Sequence, residues 1–271
     1  MSDFRTYTTI SDDGTSLKLY RWNEKGKHNI FLLHGYAGHA HRVSSFVHNL
    51  VQKDYRVTAL DLRGHGQSGG CRGNIDLWIR YTEDTLAAVA TIRAPFWSIA
   101  TGSSGLSMLR TMEESIAPQM RGVVLVNPLL SLFSPLSKLQ DISMRILSRS
   151  PKTIKVPNPF RWDQLAFAED VVHSYLHDPL CLQKTAIPFV RQLICAQSNV
   201  FSYAQLHAYP LLMLLSENDS IANPKTSQNF FSQYGAPRSQ KIYTRSGHAL
   251  LEDQEREQVC QDIHDWIQSQ A

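Results

Sequence analysis

Residues 95–108 read P-F-W-S-I-A-T-G-S-S-G-L-S-M, and no other stretch restricts the fold so tightly. Phe96 to Ala100 is a short apolar run of strand formers that breaks at a cluster of small residues and resumes as an apolar segment. That is the pattern of strand, sharp turn and helix. A serine at the tip of such a turn stands clear of the sheet, and its crowded backbone demands small residues two before and two after it. Two serines compete. With Ser103 at the tip the flanks are Thr101 and Gly105; with Ser104 they are Gly102 and Leu106, and a leucine there collides where the helix passes closest to the strand. The steric rule predicts Ser103 as the tip. The backbone N–H of Ser104 then falls in the first helical turn, where amides lack partners, and can serve an oxyanion formed at Ser103. Alone, the pentapeptide is as consistent with a polar loop; its partners decide.

The surrounding pattern supplies the context. Phe4–Ile10 and Ser16–Trp22, joined by a Ser-Asp-Asp-Gly turn, read as an antiparallel hairpin at a sheet edge. Asn29–His34, Arg56–Asp61, Gly122–Asn127, Leu211–Ser216 and Gln240–Thr244 read as strands, mostly continuous apolar runs suited to burial on both faces. Between them the period changes to that of helices: Val43, Phe46, Val47, Leu50 and Val51 form one stripe, and Val259, Ile263, Trp266 and Ile267 another. Alternating strands and helices predict an α/β fold with a mostly parallel sheet covered on both faces, whose sites lie at the carboxyl ends of the strands. His34, Asp61, Ser103 and Asn127 fall there. The rhythm stops between Leu129 and Tyr209, a gap far longer than a crossover needs. Residues 129–209 are therefore expected to form a helical cap inserted between strands 6 and 7, with 1–128 and 210–271 as the core.

Composition mainly excludes. Among 271 residues, 27 are Lys or Arg and 24 Asp or Glu, a net charge of +3, too small and dispersed for a nucleic-acid surface. No apolar run reaches the ~18 residues of a membrane span, and the start of the chain shows no export signal. Cys71, Cys181, Cys195 and Cys260 are far apart and form no C-x-x-C or Cys/His cluster, which predicts reduced thiols and no metal site. A cytoplasmic protein is expected.

A serine hydroxyl becomes a nucleophile only when a base removes its proton, and the base works best when a buried carboxylate fixes its tautomer. Asp219, three residues past the strand end at Ser216, is placed for the carboxylate, and His248, after the next strand, for the base. Glu217 and the remaining strand-end histidines, His34, His39, His41 and His65, are expected in structural or pocket-lining roles. The order Ser, Asp, His is that of α/β-hydrolases. With H-G-Y-A-G-H at His34, D-L-R-G-H-G-Q-S-G-G at Asp61, T-G-S-S-G at Thr101, N-P-L-L at Asn127, H-D-P-L at His177, E-N-D-S-I at Glu217 and S-G-H at Ser246, the chain resembles the α/β-hydrolase superfamily. More closely, it is similar to the monoacylglycerol lipase and lysophospholipase-like branch. The resemblance covers Ser16 to Ile267. It implies a triad of Ser103, Asp219 and His248, an oxyanion hole from the N–H groups of Tyr36 and Ser104, and no cofactor. Thr101 stands where the family's elbow has its first glycine.

The expected function is hydrolysis of carboxylic esters through an acyl-enzyme, with a small ester or a single-chain lipid as substrate and no nucleic-acid partner. An aminopeptidase of the same fold would need carboxylates aimed into the pocket, for which Asp141, Asp163, Glu169, Asp170 and Asp178 are the candidates. A receptor or scaffold without turnover is the third reading. Between residues 129 and 209 lie eight basic and five acidic residues beside apolar stretches. Ordinary solvated helix faces account for this; the sharper expectation is peripheral membrane contact through the cap.

Overall fold

Alternate residues of the buried strands pack into opposite halves of the interior. In β3, His28–Leu33, Ile30 and Leu32 join one apolar cluster and Phe31 and Leu33 the other. Side chains along a strand alternate between faces, so a run of apolar residues places a core on each side. The computed structural model in which this is seen describes residues 4–114, 119–134, 143, 147 and 153–270.

Eight strands form the main sheet in the order β1-β2-β4-β3-β5-β6-β9-β10. β1 (Phe4–Ile10) and β2 (Ser16–Trp22) pair as the expected hairpin, and β2 also runs antiparallel to β4 (Tyr55–Leu60). Every other pairing, through β5 (Phe96–Thr101), β6 (Met120–Val126), β9 (Leu211–Ser216) and β10 (Arg238–Tyr243), is parallel. The sheet is the mostly parallel one that the alternation predicts, with boundaries shifted by one or two residues.

Helix α1 (Ser44–Gln52) covers one face with Phe46, Val47 and Leu50, joined there by Val259, Ile263 and Ile267 of α7 (Arg256–Ser269). α2 (Ile79–Val89) and α3 (Ser103–Glu114) cover the other. α6 (Pro224–Gln233) follows β9; Asn223 caps it by accepting the N–H of Lys225.

Between β6 and β9 the described residues form a two-stranded ribbon of β7 (Lys155–Pro157) and β8 (Lys184–Ala186), helix α4 (Glu169–His177) and helix α5 (Ile187–Asn199). Leu165, Tyr175, Phe189, Val190 and Leu193 of this insertion belong to the same cluster as Phe31 and Leu125, so insertion and sheet share one core. Asp141, and Lys138, Arg145, Arg149 and Lys152 among the eight basic residues counted between 129 and 209, lie outside the described residues. Among the described residues no helix is long and apolar enough to cross a membrane.

Candidate active site

The site is built from loops at the carboxyl ends of five parallel strands. Beyond β9, Asp219 is 3% exposed. Its Oδ1 accepts the N–H groups of Ile221 (2.8 Å) and Ala222 (2.9 Å), while Oδ2 lies 2.7 Å from Nδ1 of His248. A carboxylate only accepts, so the shared proton belongs to Nδ1. In the neutral ring Nε2 is then a lone pair, and it opens toward the cavity that His248 lines.

The loop carrying His248 is tied on two sides. From β6, Asn127 reaches the carbonyls of His248 (2.9 Å) and Gly247 (3.2 Å) through Nδ2, while its Oδ1 accepts the N–H of Ser216 (2.7 Å). From the other side, the fully buried Asp253 accepts N–H groups from Gly247 (2.7 Å), Phe167 (2.8 Å) and Ala168 (3.0 Å). The Ala249 N–H donates to Leu165 O at 2.7 Å. Neither tie is legible in the sequence. In the sequence Asn127 stands out only as a strand-end residue in N-P-L-L, and Asp253 stands in no motif.

The turn after β5 corrects the predicted register. The strand ends at Thr101, α3 begins at Ser103, and the residue between them, Gly102, holds a φ of +53°. A Cβ placed on Gly102 would stand 3.0 Å from His248 Nε2. Gly102, not Ser103, is the tip that faces the base. Its flanks two residues away are Ala100 and Ser104, both small and buried, so the steric rule holds once the tip is allowed to be a glycine. Gly105 is small for a different reason: a Cβ there would come 2.8 Å from the Cβ of Pro128.

Ser103, the expected nucleophile, is the first residue of α3 and makes no hydrogen bond with His248. Its side chain lacks the mutual contact that an activated serine and its base require. Ser104, expected as oxyanion donor, is the second residue past the tip. Its Oγ donates to His34 O at 2.5 Å, fastening the helix start to the loop after β3. The first amide past the tip is that of Ser103. Tyr36 lies in the loop after β3 as expected; its ring stacks on Phe189 with centroids 3.8 Å apart, and its hydroxyl donates to Gly73 O at 2.9 Å.

Behind these loops, the buried Asp61 accepts N–H groups from Ala40 (2.7 Å) and Gln67 (2.8 Å). Gly66 is required there, since a Cβ on it would fall 2.0 Å from Asp61 Oδ2. His34 donates from Nδ1 to Gly35 O and accepts the Leu62 N–H at Nε2, so the neutral ring is fully used; burial pushes it down to about 4. Burial, reinforced by His34, pushes His65 down to about 3. Both act as loop supports, as expected.

The chain matches the family model described as serine aminopeptidase, S33 over residues 24–255. It belongs to that family. Monoglyceride lipase of Mus musculus is 26% identical to this S33 chain over 272 residues, covering 95% of the chain and 88% of the relative. An abhydrolase domain-containing protein of Dictyostelium discoideum is 21% identical over 264 residues, but the chain spans only 28% of its length. Among solved structures, the monoacylglycerol lipase of Paleococcus ferrophilus superposes with a TM-score of 0.85 at 20% identity, covering 94% of this chain and 99% of that one. The S33 chain thus has the α/β-hydrolase fold.

The cavity over Gly102 and His248 measures about 240 Å³ and is lined by apolar groups from sheet and insertion, among them Val126, Leu129, Phe160, Leu165, Phe189 and Leu193. Among the described residues Glu252 is the one carboxylate lining it. Both its oxygens are engaged, one by Arg42 at 2.8 Å and the other by the Tyr175 hydroxyl at 2.5 Å. His39, Asp178 and Cys181 form the one described cluster with metal-ligand spacing. Burial pushes the Cys181 thiol up to about 12, and Asp178 already pairs with His39 at 2.8 Å, so the cluster offers a cation a protonated thiol and a spoken-for carboxylate.

Proposed function

We propose that this chain hydrolyses carboxylic esters carrying a single apolar acyl chain, with residues 129–209 as a cap over the acyl site. His248 acts as general base through Nε2, Asp219 holds its tautomer and stabilises the imidazolium, and the amides of Tyr36 and Ser103 take the negative charge that develops on the carbonyl oxygen. One observation carries the reading: the buried Asp219–His248 pair presents a free Nε2 at the polar end of an apolar cavity. A cavity of about 240 Å³ is at the small end for ligand sites, which suits one chain rather than several. The names of the relatives, monoglyceride and monoacylglycerol lipases, agree with this substrate class. An aminopeptidase finds no support among the described residues, because Glu252 is neutralised by Arg42 and cannot receive a free amine.

The test is a panel of monoacyl glycerols and 4-nitrophenyl esters of increasing chain length, run on the wild type and His248→Ala. Medium and long acyl esters should outrun acetate, and His248→Ala should lose at least about 10²-fold. Equal rates for the two proteins sink the proposal. Gly102 favours a second reading, a ligand-binding protein without turnover; saturable binding of a single-chain amphiphile with no product released would establish it.

A further inference from the structure

A glycine at the tip leaves Nε2 of His248 without a hydrogen bond to any side-chain oxygen among the described residues. Ser103 makes no hydrogen bond with it, and Thr101 Oγ1 packs against Gly35, 3.3 Å from where a Cβ on that glycine would stand. Yet everything that makes His248 a base is kept: a buried carboxylate held by two amides, a donated Nδ1 proton and a free Nε2 toward the cavity. The space that a tip side chain would fill borders Nε2 and the cavity together.

We propose that water, seated over Gly102, is itself the nucleophile, so that hydrolysis is a single displacement with no acyl-enzyme. This rests on the ester-hydrolase reading above. In the first step the water oxygen bonds to the ester carbonyl carbon while Nε2 of His248 takes one of its protons, and the carbonyl π pair moves onto oxygen beside the Tyr36 and Ser103 amides. In the second step the carbonyl re-forms, the bond to the alcohol oxygen breaks, and the departing alkoxide takes the proton from Nε2. One ester and one water yield one acid and one alcohol, the base returns unchanged, and no other reactant is needed. The role of Gly102 is spatial: any side chain at the tip displaces the water.

Serine hydrolases stripped of one triad member retain ~10³–10⁴-fold catalysis over water from the oxyanion hole and binding alone, so turnover of that order over buffer is expected. The experiment follows release of 4-nitrophenol from a preferred acyl ester and the intact mass of acid-quenched enzyme, with and without a fluorophosphonate. Wild type should turn over with no burst, keep its unmodified mass, and remain active after fluorophosphonate. Gly102→Ser should show a burst of one product per enzyme and a fluorophosphonate adduct on residue 102, whereas Gly102→Ala should fall at least about tenfold by crowding out the water. An acyl or phosphonyl adduct on Ser103 of the wild type overturns the proposal while sparing the hydrolase reading. Absence of wild-type turnover alongside an active Gly102→Ser variant overturns both.

Discussion

Two neutral histidines under the site should make this protein lose stability in mild acid. His34 and His65 are 2% and 0% exposed, and burial pushes them down to about 4 and about 3. In the unfolded chain both return to ~6.5. As pH falls below that value the unfolded state takes up protons that the folded state refuses, so stability drops. The loss per histidine approaches ~1.4 kcal/mol per pH unit and continues until the folded value is reached. Between pH 7 and pH 5 each histidine should account for ~2 kcal/mol, ~4 together, a large part of the 5–15 kcal/mol typical of a folded protein. Neighbouring groups pull both ways: the Asp61 charge opposes the shift at His34, and Arg72 and His39 reinforce it at His65. Urea unfolding at the two pH values would measure the loss, and His65→Gln provides the internal control. That variant removes one titrating group, so its loss should be smaller by ~2 kcal/mol, whatever it does to stability at pH 7. Equal losses for wild type and variant would refute the assignment of His65 as a buried neutral ring.

Three further outcomes are expected. Asp219→Asn removes the acceptor that fixes the His248 tautomer and should cut ester turnover by up to about 10²-fold, no more than His248→Ala does, with little change in KM, read from steady-state kinetics. Arg63→Met leaves the fully buried Asp84 without its two contacts of 2.6 Å and should destabilise by ~3–5 kcal/mol in chemical denaturation. Gly105→Ala drives a methyl to 2.8 Å from Pro128 Cβ, and a melting curve should show a loss of ~1–3 kcal/mol.

The parallel strands were legible because burial on both faces writes an unbroken apolar run: N-I-F-L-L in β3 and L-L-M-L-L in β9 could belong to little else. The pairing of Asp219 with His248 was legible because strand ends converge on one edge, where the two side chains meet at 2.7 Å. The tip was misread by one residue. Ala100 and Ser104 obey the flanking rule, which a glycine at the tip satisfies as well as a serine does. A conformation with positive φ is what a glycine signals best, and here that signal sits inside the motif. The roles of Asn127 and Asp253 were illegible for another reason: each acts through contacts to backbone groups distant in sequence, which no local pattern records.

Asp253 links residues 167 and 168 of the insertion to Gly247, next to the base. The start of α4 and the loop that carries His248 are thus bolted to one buried carboxylate. A cap that swung at this seam to admit substrate would carry His248 away from Asp219, and the chemistry would be off while the door stood open. On the proposed function, any movement of the insertion at residues 165–168 would be coupled to the position of His248.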